Sequence, residues 1–401
     1  MTDFRERAVA LDVADPLALW RHQFVIEPDV VAYLDGNSLG RLPLRTRERL
    51  TAFIRDEWGG RLIRGWSQGW ADLPTQVGDE FGELVGAAPG QGVVGDSTTI
   101  CIAKALHAAA DLRPGRDELV VSADDFPTDR YIAEAVAREK SLTVRHVETT
   151  VDGTLDLEAV LGERTAVVLL SHVDYRTGTL QDLTAVTRQV HDAGAVMVWD
   201  LCHSLGVVPM DLDAAGVDLA VGCTYKYLNA GPGAPAYLYA AARHLPDLRQ
   251  PLPGWWSASD LFAMADEYEP ANDARRLLSG TPNVAGLLAV REGVAIAAEA
   301  GIEAARAKST QLTSYCIDAL DELVADGASL ELVTPRDAAR RGSQVTVRVP
   351  DARGVTADLI DGGVVPDFRE PDLLRLGLAP LTTSFAELHE GLVVLQQVLR
   401  R

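Results

Sequence analysis

Between about residues 90 and 240 the chain alternates between two kinds of hydrophobic spacing. Six short runs rich in Val and Leu stand out: ELVVSA (118–123), LTVRHVE (142–148), TAVVLLSH (165–172), AVMVWD (195–200), DLAVGC (218–223) and PAYLYA (235–240). Several are continuous rather than alternating, which is the pattern of strands covered on both faces. Between them lie helix-like segments, TTICIAKALHAAADL (98–112), TDRYIAEAVAREK (128–140) and LTAVTRQVHDAG (183–194). A strand–helix succession of this kind predicts an α/β fold, a mostly parallel sheet flanked by helices. After Gly301 the pattern changes. Residues 302–327 read as one long amphipathic helix, followed by strand-like LELVTP and SQVTVRVP, a helix, further short strands and a final helix at about 384–400. The expected organisation is an N-terminal segment, 1–50, packing on a smaller α+β domain at 301–401, with a large α/β domain at 51–300.

Bulk properties narrow the function classes. At 401 residues the chain suits a large domain plus a smaller one. Its 47% hydrophobic and 24% charged content are ordinary for a soluble globular enzyme. The net charge of -21, with no basic cluster, disfavours nucleic acid and anionic membranes as partners. Cys101, Cys202, Cys223 and Cys316 are widely spaced and form no C-x-x-C pair, so reduced thiols are expected rather than disulfides or zinc. The charged N-terminus carries no long apolar segment, so neither a signal peptide nor a membrane span is expected, and the expected location is cytoplasmic.

Open parallel sheets bind ligands beyond the carboxyl ends of their strands, and the residues there are chemically rich. Asp124-Asp125-Phe126-Pro127-Thr128-Asp129 follows the first run, Ser171-His172 the third, Asp200-Leu-Cys-His203 the fourth, and Thr224-Tyr225-Lys226 the fifth. Thr98 and Thr99 open a helix whose free amides suit an anion. Lysine is seldom buried, yet Lys226 stands between two tyrosines where an apolar run ends. Taken singly, each residue has a plain alternative. Lys226 could be a snorkelling surface side chain, Asp200 a helix cap, His203 a satisfied structural histidine, Phe126 core packing, and the threonines simple caps. Together they suit pyridoxal phosphate, which needs an amine for a Schiff base, a carboxylate facing its pyridine nitrogen and donors around its phosphate. Dinucleotide, zinc-peptidase, nucleophile-elbow and P-loop signatures are absent from the sequence.

These residues sit in longer stretches that resemble the kynureninases, fold-type-I pyridoxal-phosphate enzymes akin to class V aminotransferases. The stretches are YLDGNSLGRLP (33–43), DDFPTDRY (124–131), SHVDYRTG (171–178), WDLCHSLGVVPMDL (199–212), TYKYLNAGPG (224–233), GWW (254–256) and DFREPDLLRLGLAPL (367–381). The resemblance implies hydrolysis of the Cβ–Cγ bond of L-kynurenine, or of its 3-hydroxy form, to anthranilate-type product and L-alanine in tryptophan catabolism. It implies Lys226 as the cofactor-linking amine, Asp200 as partner of the pyridine nitrogen and Phe126 stacked on the ring. Thr98, Thr99, Tyr225, Trp255 and Thr281 would surround the phosphate, some of them across a homodimer interface, with Asp129, Ser171 and His203 as further cofactor contacts. Arg375 would hold the substrate α-carboxylate, a task for which a planar guanidinium is well shaped. Ser38 and Tyr225 are candidate donors to an oxyanion. Trp66 would lie beside the substrate's aryl ring or else pack its own glycine-rich turn. Two other functions share most of this pattern: a class V aminotransferase or cysteine desulfurase, and a catalytically silent binding protein.

Overall fold

The computed structural model describes residues 2–150 and 153–400. A seven-stranded sheet forms the larger part, in the spatial order 92–95, 236–240, 219–222, 196–200, 165–171, 118–122, 143–147. The five strands from 219–222 to 143–147 are parallel, and the two at the other edge are antiparallel. Successive residues of one strand face opposite sides, which explains the continuous apolar runs. Val120, Val168, Leu170 and Trp199 join one core with Val77 and Phe81 of the helix Leu73–Val85. Leu119, Val121, Leu169 and Val198 join a second core with Ile102 and Leu106 of the helix Thr98–Asp111.

The smaller unit is an antiparallel sheet in the order 367–369, 373–377, 344–348, 331–332. Its apolar face is covered by the helices Ile302–Ala325 and Phe385–Leu399. The N-terminal segment closes onto this unit: Ala32–Tyr33 pairs in parallel with Val364–Val365, and Ala8, Ala32 and Leu34 are buried in its core.

Two features at the sheet's edge differ from what periodicity predicts. Gly92–Gly95 is a strand, although its run is short and glycine-bounded, and PAYLYA runs antiparallel to its neighbours. Strand direction depends on the connection, here the tight stretch after Lys226, and not on side-chain pattern.

Candidate active site

The carboxyl ends of the parallel strands deliver the polar residues to one place. Ser171 and Asp200 are the last residues of adjacent strands and are paired in register, while Asp200 is paired with Val221 on the next strand. Beyond Gly222 the chain turns sharply and is pinned at several points. Thr224 Oγ1 donates to the Pro235 carbonyl at 2.7 Å, and the Asn229 amide donates to the Lys226 carbonyl at 3.0 Å. From the N-terminal segment, the Gly40 amide donates to the Tyr225 carbonyl at 2.8 Å. These bonds hold the backbone of Lys226 while its side chain enters a chamber of about 220 Å³.

One wall of the chamber is acidic. Asp129 and Asp200 line it, and Asp125 is buried behind them within reach of the Asp200 charge. Burial, then the charge of Asp200, pushes the Asp129 carboxyl well above its usual pKa. Burial likewise raises Asp125 to about 7, against bonds from Ser171 that pull it down. Asp200 Oδ1 accepts the Cys202 amide at 2.6 Å. On the floor, Lys226 Nζ lies 3.2 Å from His203 Nε2. Burial, and next the charges of Lys226 and Arg375, drive the His203 imidazole well below its usual pKa, so it is neutral at pH 7. Burial also raises the Tyr225 phenol far above its ordinary range and keeps it protonated.

The opposite wall comes from the smaller unit and the N-terminal segment. Arg375, only 1% exposed, donates to the Tyr175 carbonyl at 2.6 Å and to Ser38 Oγ at 3.1 Å, and is paired with Asp367. Phe126, 41% exposed, stands at the rim with its ring edge-on to Tyr175 at 5.2 Å. Thr98 and Thr99 line the chamber from the start of a fourteen-residue helix.

A dianionic, ring-bearing aldehyde cofactor fits this donor set. Thr98 Oγ1 and both carboxyl oxygens of Asp129 are buried without a hydrogen-bond partner, and such groups are costly unless a ligand satisfies them. The helix start adds free amides for a phosphate, and Lys226 supplies the amine.

Ser38, Thr98, Thr99, Phe126, Asp129, Ser171, Asp200, His203, Tyr225, Lys226 and Arg375 all line the one chamber. Three other candidates do not. Trp66 packs against Trp70 and Trp256, at 5.5 and 5.1 Å between ring centroids. Trp255 is 38% exposed beside Phe262, and Thr281 is exposed on a separate hollow near Gly95 and Ser97. Sequence reasoning passed over Asn37, Tyr175 and Arg369, which also line the chamber. Arg369 stood within the quoted DFREPDLLR stretch, but nothing in that stretch says which of its arginines turns inward. A larger hollow of about 750 Å³ lies beside the helix Leu183–Asp192 and contains none of the candidates.

The aminotransferase class-V family profile matches residues 33–359. The chain is 42% identical to a kynureninase of Pseudomonas fluorescens, covering 99% of this chain and 96% of that protein. It is 43% identical to a kynureninase of Deinococcus radiodurans, covering 97% and 95%. Among solved structures, a cysteine desulfurase of Thermococcus onnurineus superposes with a TM-score of 0.83 at 18% identity, covering 95% of this chain and 97% of that one. A cysteine desulfurase of Escherichia coli gives 0.83 at 20%, covering 96% and 98%. At such identities these two matches speak to the fold alone.

Proposed function

The chain belongs to the kynureninases within the aminotransferase class-V family, and we propose that Lys226, Asp200 and Tyr225 carry its chemistry. It is a pyridoxal-phosphate enzyme that hydrolyses the Cβ–Cγ bond of L-kynurenine, releasing anthranilate and L-alanine. The observation that supports the residue assignment is convergence. An amine and a carboxylate from neighbouring parallel strands share one small chamber with a buried arginine from the other unit.

Bound pyridoxal phosphate supplies an aldehyde that links covalently to amines and a ring that withdraws electrons from the attached substrate carbon. Lys226 is the residue that would be linked to it. Asp200 would hold the ring nitrogen protonated, Thr98 and Thr99 with the adjoining helix amides would hold the phosphate, and Phe126 would cover the ring. Asp129, Ser171 and His203 would complete the contacts.

Arg375 orients the substrate by its α-carboxylate, which brings Cα within reach of Lys226. The Lys226 amine would take the proton from Cα as general base, with the neutral His203 ring beside Nζ as a hydrogen-bond partner. Water then adds to the γ-carbonyl. Tyr225, kept protonated by burial, and Ser38 donate to the oxyanion that develops there. Collapse of that adduct breaks the Cβ–Cγ bond and frees anthranilate, Cβ then gains a proton, and the proton held by Lys226 is returned to Cα to complete L-alanine.

All four cysteines are buried, whereas a desulfurase needs an accessible nucleophilic thiol, so the hydrolytic reading is the better supported. A homodimer is supported by exposed apolar side chains at Trp255, Phe262, Met264 and Tyr268. In that dimer Trp255 and Thr281 would serve the neighbouring chamber. A cytoplasmic location is supported by the unpaired cysteines; no helix among the described residues is long and apolar enough to cross a membrane.

Four measurements test these assignments. Purified protein should show a visible absorption band that borohydride abolishes, and Lys226→Ala should lack it. Wild-type protein should release fluorescent anthranilate from L-kynurenine; silence with the cofactor bound would overturn the residue roles. Parallel kinetics with the 3-hydroxy form set the ring preference, and sedimentation velocity sets the oligomeric state.

A further inference from the structure

Two guanidinium groups line the chamber. Arg375 lies on the strand Leu373–Gly377 and Arg369 on the antiparallel neighbour Asp367–Arg369, in a register that sets Asp367 opposite Arg375. Asp367 serves both. Its Oδ2 accepts from Arg375 Nη2 and lies 2.7 Å from Arg369 Nη2, and its Oδ1 accepts from Arg369 Nη1 at 3.2 Å. The remaining terminal contacts are to the Tyr175 carbonyl and Ser38 for Arg375, and to the Phe368 carbonyl for Arg369. After these bonds, the Nε–H groups of both arginines are buried and have no partner.

An unpaired buried donor is expected to be met by a ligand, and one carboxylate can accept from two guanidiniums at once. We propose that Arg369 is a second carboxylate-recognition residue, so that Arg375 and Arg369 together receive the α-carboxylate of the amino-acid substrate while Asp367 braces both. This rests on the reading of Arg375 given above and extends it to a residue that had no role. Asp35 faces the same group with Oδ1 unpartnered. Burial foremost, and the charge of Asp367 besides, push its carboxyl up to about 6 against a bond from Ser38. An arriving carboxylate favours the protonated form of Asp35. The filled site then balances two guanidiniums with Asp367 and the substrate.

The test is calorimetric titration of the holoenzyme with L-alanine and with L-alaninamide, which differ in the carboxylate. Wild-type protein should prefer L-alanine. In Arg369→Gln, L-alanine binding should weaken on the order of tenfold or more and alaninamide binding less than about twofold, a loss expected of an unmade charge-assisted bond. KM for kynurenine should rise by the same factor with kcat nearly unchanged. Arg369→Lys should recover part of the loss. If both ligands weaken equally in Arg369→Gln, or neither does, Arg369 is a brace only and the proposal fails. Should wild-type protein not discriminate the two ligands, it is the Arg375 reading that fails. Thermal melts of both variants identify any unfolding, and a folded Arg369→Lys with unaltered discrimination would also overturn the proposal.

Discussion

Gly40 offers a perturbation whose size follows from the structure. A Cβ added there would lie 2.3 Å from the Lys226 carbonyl oxygen and 2.3 Å from Asn229 Oδ1. Ordinary contact needs about 1 Å more. Asn229 cannot swing away freely, because its Nδ2 donates to the Tyr227 carbonyl at 2.8 Å and its backbone is left-handed with φ 56°. The Gly40 amide is itself bonded to the Tyr225 carbonyl. In Gly40→Ala the 225–229 turn must therefore retreat, carrying Lys226 with it. Overpacking of this kind costs about 1–3 kcal/mol. With an unfolding entropy of roughly 2.1 cal/mol/K per residue, a chain of this length loses only about 1–4 °C in Tm. A displacement of about 1 Å at a reacting group costs on the order of 100-fold in rate. The expected variant is thus nearly as stable as wild type but slow, as read by scanning calorimetry and anthranilate fluorescence. Gly60→Ala, where nothing lies within 4 Å, is the control and should be neutral. A Gly40→Ala enzyme with kcat/KM within twofold of wild type would refute the claim that this contact sets the lysine's position.

Other outcomes follow from single buried groups. Asp218 accepts from the Met197 amide and pairs with His191, His244 and Arg243, so Asp218→Asn should cost about 3 kcal/mol in denaturant unfolding. Burial alone would raise this carboxyl, but the bonds from His191 and His244 override it and hold it well below the usual range. The stabilisation is complete above about pH 4 and drains away as pH falls further, so the variant's acid limb should be flatter. Asp35 has the opposite sign: its folded pKa is raised to about 6, so its neutral form stabilises fully below about pH 4 and that contribution is lost as pH climbs to 6. Asp35→Asn should therefore gain on the order of 2 kcal/mol over wild type at pH 8 and almost nothing at pH 4, as compared by Tm. Asp200→Asn should lower cofactor affinity at least about tenfold in equilibrium dialysis, since a charge-assisted bond to the ring nitrogen is replaced by a neutral one.

Much of the architecture is written in local pattern. Continuous Val and Leu runs mark strands buried on both faces, because every second residue of TAVVLLS must enter a different core. Capping chemistry marks where helices start, as at Ser97 and Asp182, whose side chains accept helix amides. From this alone the polar residues Ser171, Asp200 and Lys226 can be put at strand ends, on the edge where ligands bind.

Which of those residues meet was decided by packing between segments far apart in the chain. Ser38 and Arg375 share a hydrogen bond although one lies near each end of the sequence, because the N-terminal segment pairs with Val364–Val365 and Gly40 docks on Tyr225. Which of Arg369 and Arg375 faces inward, and that both do, depends on antiparallel register around Asp367. The same holds for Trp66, drawn into a tryptophan cluster, and for the antiparallel edge strand at 92–95. Side-chain periodicity reports only whether a neighbour is apolar or wet. Register, strand direction and long-range docking come from how the finished surfaces fit, and that information exists only once the chain has closed on itself.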